Sequence, residues 1–467
     1  MFLHLKQGTF CLFKSKFMKE HKALLKLGLP ITVAQLGLTL QNLADNVMVG
    51  RHSTEELAAA GLVNNLFVLA ILLTLGFSIG AVSQFGSLYT QNKKERIVEI
   101  LKSSIVANSL QGMVIVALLV GLYFVLPYMG QPDELLPLMR PYLVIQICSM
   151  PFFFLSAAFR QMTDSINDTV VDMTVILIAN AWNIFFNWVF IYGNLGAPEL
   201  GLMGAAWATF TSRLIIFVLY LCVFFFRPKY KVYVQYWKTA RIHIDDVKLL
   251  NRLGWPIAIQ MGMETASFSL TAIMIGWLGT NVLAAHQVMI NVANAVFLTY
   301  VGISNAVSIR VSNHNGLHNM VGVKQAAFAG WQIILCFGLV LGTTAFFFCT
   351  EISRLFTDSE EVSLIVGSLA IPFLLYQFGD GMQCTFSNAL RGLGDVKKLM
   401  QYSFLAYVVI SLPLSYLLGI VCSWGATGIW MGFPFGLTTA GILYLRRFRS
   451  LCRKTAISNQ SSAISNK

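Results

Sequence analysis

Leu27-Gly28-Leu29-Pro30 and Leu253-Gly254-Trp255-Pro256 follow one pattern and stand 226 residues apart in a chain of 467 residues. The same spacing aligns Gly50 with Gly276, Leu57-Ala58-Ala59 with Leu283-Ala284-Ala285, Gly76 with Gly302, and Ser78 with Ser304. Further along, a spacing of 231 sets Arg160 on Arg391 and Asp164 on Asp395, and Gly204 aligns with Gly428. A register held over so many positions indicates that the chain contains two copies of one design.

Both copies are built from long apolar stretches. Hydrophobic residues make up 56% of the chain and charged residues only 12%, whereas soluble domains carry about 25% charged residues. Runs long enough to cross about 30 Å of hydrocarbon begin near Leu24, Leu57, Ile105, Tyr142, Met173, Leu202, Leu253, Leu283, Ala327, Leu364, Gln401 and Gly425. Such continuous runs satisfy their backbone groups in a membrane only as helices. The sequence therefore predicts an all-α integral membrane protein with twelve transmembrane helices.

The duplication predicts how these helices are grouped. Each copy has six spans, so the two copies share one orientation and are related by an axis along the membrane normal. We expect two pseudo-symmetric six-helix bundles around a central cleft, which rocking of the bundles exposes to one side at a time. Duplication can also reflect ancestry alone, because channels arise in the same way.

Basic residues predict the orientation. Of the 33 Lys and Arg residues, 29 fall on the side of the two termini, three (Arg51, Arg140 and Arg354) fall on the opposite side, and Arg213 lies within a span. Because basic loops resist translocation, this asymmetry places both termini in the cytoplasm. The net charge of +12 is then a topology signal, and nucleic acid is not an expected partner.

Composition also suggests five segments. Residues 1–22 mix aromatic residues with lysines and are predicted to be an amphipathic cytoplasmic segment on the membrane surface. The predicted N-lobe is 23–226 and the predicted C-lobe is 253–448, joined by a basic cytoplasmic linker at 227–252. The polar tail at 449–467 is predicted to be disordered.

Three carboxylates inside apolar spans indicate function, since a charge at the bilayer centre costs at least about 2.5 kcal/mol. They are Asp45 in the first span, Glu264 in the seventh and Asp380 in the tenth. Each lies on a polar helix face: Gln41, Asn42 and Asp45; Gln260, Glu264, Ser267 and Thr271; Tyr376, Asp380, Gln383 and Ser387. We expect no Lys or Arg nearby in the same helices to neutralise them. The alternative is that these acids only tie helices together by hydrogen bonds.

Asparagines in the fifth span extend this polar pattern. Asn180, Asn183 and Asn187 recur on one helix face, and hard cations bind such amide oxygens. A carboxylate in such surroundings is stable when protonated or when ionised beside a bound cation. Exchange between these two states would couple transport to an ion gradient. Arg213 and His286 are interpreted as structural residues rather than as part of this chemistry.

Several stretches with these residues resemble the multidrug and toxic compound extrusion (MATE) family, especially its bacterial NorM-like branch. They are Leu43-Ala44-Asp45-Asn46-Val47-Met48-Val49-Gly50, Gly196-Ala197-Pro198-Glu199-Leu200-Gly201, Ala284-Ala285-His286-Gln287, Tyr376-Gln377 through Asp380, and Leu390-Arg391-Gly392. The resemblance runs from about Leu24 to about Phe448. Asn46, where relatives often have Thr, leaves the pattern intact.

The resemblance implies a transporter of two lobes that expels cationic, amphipathic compounds in exchange for Na+ or H+. It implies that Asp45 is a cation or proton site in the N-lobe, with Asn183 and Asn187 beside it. It also implies a C-lobe site formed by Glu264 and Asp380, with Tyr376 one turn before the aspartate. If Na+ is the coupling ion, these three acids would bind it. Asn180 and Gln41 are added to the N-lobe site from their helix positions.

Other functions fit the sequence less well. A flippase for lipid-linked sugars is the nearest alternative, although such proteins often carry cationic cavity residues, and here acids predominate. An intramembrane enzyme would need a nucleophile with a base, or a metal cluster, and the sequence shows neither motif. We therefore expect a monomeric, non-enzymatic transporter without a cofactor, whose partners are small organic compounds and membrane lipid.

Overall fold

The computed structural model describes the backbone of residues 2–129 and 133–465 and the side chains of residues 18–128 and 134–454. Within these residues the chain is helical almost throughout and contains no strand. The helices are α1 (Phe2–His52), α2 (Thr54–Ile79), α3 (Val82–Thr90), α4 (Lys94–Val125), α5 (Leu136–Ser165), α6 (Thr169–Tyr192), α7 (Leu202–Phe226), α8 (Lys231–Val234), α9 (Ile244–Gly276), α10 (Thr280–Gly316), α11 (Met320–Phe347), α12 (Cys349–Arg354), α13 (Glu360–Leu393), α14 (Val396–Ser403), α15 (Leu412–Tyr416) and α16 (Gly425–Ser465). Two π-helical stretches, Phe404–Ser411 and Leu417–Val421, flank α15.

The helices confirm an all-α membrane protein. In the described residues, eleven helices or runs of consecutive helices are long and apolar enough to cross a membrane. They coincide with eleven of the twelve predicted spans. The remaining predicted span is α9, which has 33 residues and exceeds the roughly 20 that a crossing needs. Polar residues such as Gln260 and Glu264 make α9 less apolar than the others, and Glu264 is one of the acids expected to bind the coupling ion.

The chain divides into two compact units. The N-terminal unit is Val33–Ala258, and the C-terminal unit is Met1–Thr32 together with Ile259–Lys467. The division falls inside α1 and α9, so it differs from the predicted lobes, 23–226 and 253–448. The predicted linker, 227–252, lies wholly within the N-terminal unit.

Close helix packing explains this division. In the C-terminal unit, α1 approaches α10 so closely that a Cβ at Gly28 would lie 3.2 Å from the carbonyl oxygen of Gly302. In the N-terminal unit, α9 approaches α2, and a Cβ at Gly254 would lie 2.7 Å from the carbonyl oxygen of Phe77. Small residues permit such contacts between membrane helices. The glycines of the two opening motifs are therefore equivalent packing residues.

One aspartate, Asp168, binds the start of the linker to the N-terminal unit. Asp168 Oδ2 accepts hydrogen bonds from Arg227 Nη1 at 3.1 Å and from the Tyr230 hydroxyl at 3.0 Å, and Lys229 Nζ lies 3.2 Å away. Burial and the Asp168 carboxylate raise the pKa of Tyr230 well above its usual value. These contacts attach the segment after α7 to the turn between α5 and α6.

The duplication is visible in the turns. Asn92 and His318 both have positive φ, 56° and 52°, at the turns that precede α4 and α11. Asn167 and Gly394 likewise have φ of 62° and 75° at the ends of α5 and α13. The residues that follow them donate equivalent backbone hydrogen bonds of 3.0 Å, Asp168 to the Thr163 carbonyl and Asp395 to the Leu390 carbonyl.

These bonds correct one alignment. They pair Asp395 with Asp168, so Arg391 corresponds to Asp164. The predicted pairing of Arg160 with Arg391 is wrong by one helical turn, because residue identity was matched across a turn where the two copies differ in charge. Gly204 and Gly428 do correspond, since each packs against the backbone of the preceding helix, at Phe190 and Leu418.

The ends of the chain are helical where the structure describes them. Helix α16 continues to Ser465, through most of the tail predicted to be disordered, because extending an existing helix adds a hydrogen bond for each residue fixed. Helix α1 passes without a break through residue 22. Near there, Glu20 accepts two hydrogen bonds from Arg310, of 2.6 and 3.1 Å. The side chains of 1–17, on which the predicted amphipathic character rests, lie outside the described residues.

Apolar packing holds the elements that carry the polar residues. Phe67, Met139 and Phe154 belong to one buried cluster in the N-terminal unit, and this cluster includes Val49 at the end of α1. In the C-terminal unit the fully buried Phe373 and Trp430 pack α13 and α16. The helix segments that carry Asp45 and Asp380 are thus anchored by buried neighbours.

Candidate ion-coupling sites

The N-terminal unit brings three of the predicted residues together. Asn187 Nδ2 donates a short hydrogen bond to Asp45 Oδ1 and a second one, of 3.2 Å, to Asn183 Oδ1. Asn183 and Asn187 are fully buried, and Asp45 is partly buried. The helical spacing on α6 places both amides opposite the carboxylate on α1.

Two unpaired amide oxygens lie along the same face of α6, one beside Asp45 and the other about two turns away, level with Gly37. Within the described part of the chain, Asn180 Oδ1 and Asn187 Oδ1 are buried without a hydrogen-bond partner. Amide oxygens beside a carboxylate are the ligands that a hard cation prefers. Asn180 packs against α1, where a Cβ at Gly37 would lie 2.7 Å from Asn180 Nδ2. Gln41, one turn before Asp45, is only partly buried.

Two further polar side chains, Arg213 and Tyr142, interact with Asp45. Arg213 interacts electrostatically with Asp45 and donates to Ser149 Oγ at 2.5 Å. Its guanidinium also lies over the ring of Phe67, 5.2 Å from the centroid. Tyr142, which also interacts with Asp45, donates to Asn64 Oδ1 at 3.2 Å. Arg213 thus has the structural contacts expected of it, although it also contributes to the field at Asp45.

The C-terminal unit holds the second group of predicted residues. Glu264 Oε2 accepts from Gln260 Nε2 at 2.9 Å, and Gln383 Nε2 reaches both Glu264 oxygens at 3.3 and 3.4 Å. Asp380 is 2% exposed; its Oδ1 accepts weakly from Cys384 Sγ at 3.5 Å. Its Oδ2 is buried without a hydrogen-bond partner in the described part of the chain. Glu264 and Asp380 interact electrostatically.

Tyr376 lies in an aromatic cluster beside these acids. Its ring centroid is 6.3 Å from that of Phe268 and 6.2 Å from that of Phe433. Trp430 is part of the cluster and packs edge-on against His286 at 5.6 Å. His286 is therefore a packing residue, as its sequence position suggests. Tyr376 forms part of an apolar wall at Asp380, one turn away on α13.

Arg391 contradicts one expectation. The sequence predicts no basic residue near the acids in their own helices. In the structure Arg391 is 8% exposed in the last turn of α13 and donates to Gln260 Oε1 at 2.6 Å. Side chains lean towards the start of a helix, so this long side chain points back into the unit from its end.

The acids do not gather into a metal cluster. Among the residues whose side chains are described, no group of three or more His, Cys, Asp or Glu could hold a metal ion. A cation at Asp45 would therefore be held by one carboxylate and neutral amide oxygens.

The fold and the two polar sites define a duplicated, multi-span membrane protein with ionisable groups buried in both copies. The family model described as MatE matches residues 30–189 and 256–417. The chain therefore belongs to the MATE family of transporters.

Curated relatives align over nearly the whole chain. "Multidrug resistance protein NorM" of Photobacterium profundum is 30% identical over 437 residues, covering 93% of this chain and 96% of the relative. The protein of the same name from Aliivibrio fischeri is 29% identical over 443 residues, covering 94% and 96%. These matches agree with the NorM-like resemblance of the sequence.

Solved structures share the fold. A transporter of the MOP superfamily from Pyrococcus furiosus aligns with a TM-score of 0.82 at 20% identity, covering 94% of this chain and 97% of that one. A MATE transporter from Vibrio cholerae aligns with a TM-score of 0.83 at 18% identity, covering 94% and 98%.

Proposed function

We propose that the protein is a secondary active exporter that exchanges cationic or amphipathic organic compounds for Na+ or H+. The observation that carries this proposal is the pairing of a carboxylate with buried amide groups in each unit, at Asp45 with Asn187 and at Glu264 with Gln383. The relatives named multidrug resistance protein NorM support the substrate class. A transport role rather than an enzymatic one follows from the family.

The coupling would be a matter of linkage. Binding of the cation must favour the state that releases the organic compound, and binding of the compound must favour the other state, each by its differential affinity. Asp45 can take a proton or a cation because Asn187 donates to one of its oxygens only, and the amide oxygen of Asn187 itself has no hydrogen-bond partner in the described part of the chain. Asp380 has the same capacity through its unpaired Oδ2.

The setting of this activity follows from the charge asymmetry. We propose a bacterial inner membrane location with both termini in the cytoplasm, and a monomer that needs no cofactor beyond the coupling ion. Lobes near 23–226 and 253–448 would alternate access between the two sides.

The experiment is efflux of a fluorescent organic cation from proteoliposomes, with Na+ and pH gradients imposed separately. Efflux driven by one gradient and lost in Asp45→Asn is the expected result, and it would identify the ion. Failure of both gradients to move the compound would reject the antiport proposal. A parallel assay with a lipid-linked substrate would then test the flippase alternative.

A further inference from the structure

The C-terminal unit contains a buried cation for which the antiport proposal has no use. Arg391 Nη2 donates to Gln260 Oε1 at 2.6 Å, and Nη1 donates to Asn388 Oδ1 at 3.4 Å. Its Nε has no hydrogen-bond partner in the described part of the chain. Withdrawing a guanidinium from water is costly unless it gains strong contacts. The hydrogen bond to Gln260 is the shorter of its two, so Gln260 is the main partner of Arg391.

Gln260 connects Arg391 to Glu264. A glutamine amide has an oxygen that accepts and an NH2 group that donates, and a half-turn of the amide exchanges their places. Arg391 can only donate, so the amide oxygen must face it. Gln260 Nε2 is then held towards Glu264 Oε2, at 2.9 Å. Without Arg391, either orientation of the amide would be open.

We propose that Arg391 is a positioning residue that fixes the Gln260 amide as a donor to Glu264 and so weakens the hold of Glu264 on the coupling cation. The inference rests on the proposed antiport function. A carboxylate whose lone pairs accept fixed hydrogen bonds is stable without a bound cation or proton. The guanidinium charge acts in the same direction, because Arg391 also interacts electrostatically with Glu264.

Gln383 provides an internal comparison. It donates to both Glu264 oxygens, but its own oxygen has no hydrogen-bond partner in the described part of the chain. Its orientation therefore does not depend on Arg391. The other titratable side chains that interact electrostatically with Glu264 are Asp380, Cys384, Tyr376, Tyr407 and Tyr444. None of these contacts passes through Gln260.

The test is cation binding by the purified full-length protein. Na+ is titrated at fixed pH, and pH is titrated without Na+, with the shift of the thermal unfolding midpoint as the readout. Arg391→Gln is expected to lower the half-saturating cation concentration about three- to tenfold, the range for one net hydrogen bond. Arg391→Lys keeps the positive charge but loses the planar guanidinium, so its half-saturating cation concentration should lie between those of the wild type and Arg391→Gln. Arg447→Gln removes a guanidinium that pairs with Asp395, away from Glu264, and should leave the half-saturating cation concentration unchanged.

Double variants separate positioning from general damage. In a Gln260→Leu background, Arg391→Gln should have only a small remaining effect, whereas in a Gln383→Leu background its full effect should persist. Equal effects in both backgrounds, or an unchanged half-saturation in Arg391→Gln, would overturn the proposal. If Arg391→Gln does not fold, Arg391→Lys is compared in the same two backgrounds and judged by the same criterion.

The antiport proposal is judged by a different measurement. Cation binding that follows these expectations without gradient-driven efflux would refute antiport and leave the positioning role of Arg391 standing. Gradient-driven efflux without any effect of Arg391 on cation binding would support antiport and refute the positioning role. A wild-type protein whose stability responds to neither cation would overturn the positioning role.

Discussion

Side-chain amides are the common feature of both candidate sites. Asp45 and Glu264 each accept hydrogen bonds from amide groups, and these donors hold the carboxylates in place while leaving room for a proton or a cation. A direct ion pair would compete with the cation for the same oxygens. This residue chemistry is what the proposed ion exchange requires.

The first prediction concerns Asp45. Asp45→Asn keeps an oxygen that can accept from Asn187 but removes the charge, so gradient-driven efflux should fall to the background while the protein remains folded. Proteoliposome efflux and thermal unfolding measure the two effects. Asp245→Asn is the matched control, since Asp245 is exposed at the start of α9 and its only described ion pair is 3.7 Å long. Normal efflux by Asp45→Asn would remove this residue from the coupling scheme.

The second prediction concerns the C-terminal unit. Glu264→Gln and Asp380→Asn should each weaken the dependence of efflux on the coupling ion, since each removes one of two interacting carboxylates. The double variant should change little beyond the stronger single variant if the acids act as one site. Efflux rates as a function of ion concentration measure this. An ion response that is intact in all three variants would assign coupling to Asp45 alone.

The acids could be predicted from the sequence, whereas their partners could not. A carboxylate in an apolar run is visible without coordinates because its cost in the bilayer demands a reason. Arg391 was missed because it lies close to a helix end, where the sequence does not show whether a long side chain turns inwards or outwards. Its place in the Leu390-Arg391-Gly392 stretch, which resembles the family, is the one signal that the sequence offers.

At the scale of helices, two glycines determine how closely α1 and α9 approach the helices that they cross. Gly28 on α1 and Gly254 on α9 have no room for a side chain. Each lies two residues before a proline, in the repeated motif described above. The repeated motif thus specifies a close crossing.

The third prediction follows from this packing. Gly254→Ala should destabilise the protein by about 1–3 kcal/mol, because a Cβ would lie 2.7 Å from the Phe77 carbonyl oxygen. Gly61→Ala on α2 is the control: a Cβ there has no neighbour within 4 Å in the described residues, so this change should be neutral or stabilising. Thermal unfolding in detergent compares them. Equal midpoints for the two variants would show that the α9 crossing tolerates a methyl group.

Helix positions were predictable and their register was not entirely so. Apolar runs determine where a chain can cross the membrane, and all twelve predicted spans coincide with long helices. The alignment of the two copies slipped by a turn near Arg391, because the copies diverge in charge where their backbones remain equivalent. Backbone hydrogen bonds at Asp168 and Asp395 preserve the correspondence that the side chains have lost.

At the scale of the whole molecule, the distribution of basic residues leads to the fourth prediction. In a variant freed of reactive native cysteines, Thr239→Cys in the linker should react with a membrane-impermeant maleimide only after cells are permeabilised. Asp358→Cys, before α13, should react on intact cells, since both positions are solvent-accessible but lie on opposite predicted sides. The opposite labelling pattern would show that the protein has the reverse orientation in the membrane.

The large-scale design could be read from the repeat, but the membership of each unit could not. Sequence similarity places α1 with the first copy and α9 with the second. Packing assigns the start of each to the other unit, because Gly28 meets α10 and Gly254 meets α2, and contacts between distant segments leave no trace in a single sequence.

This reciprocal assignment has an evolutionary consequence. If the gene arose by fusion of two copies of an ancestral six-helix protein, that ancestor would already have been a domain-swapped homodimer, each subunit lending its opening segment to its partner. Fusion would then have fixed an association that once depended on concentration. Each half of the present gene, expressed alone, would lack the segment that completes its packing and would need the other half to be made alongside it.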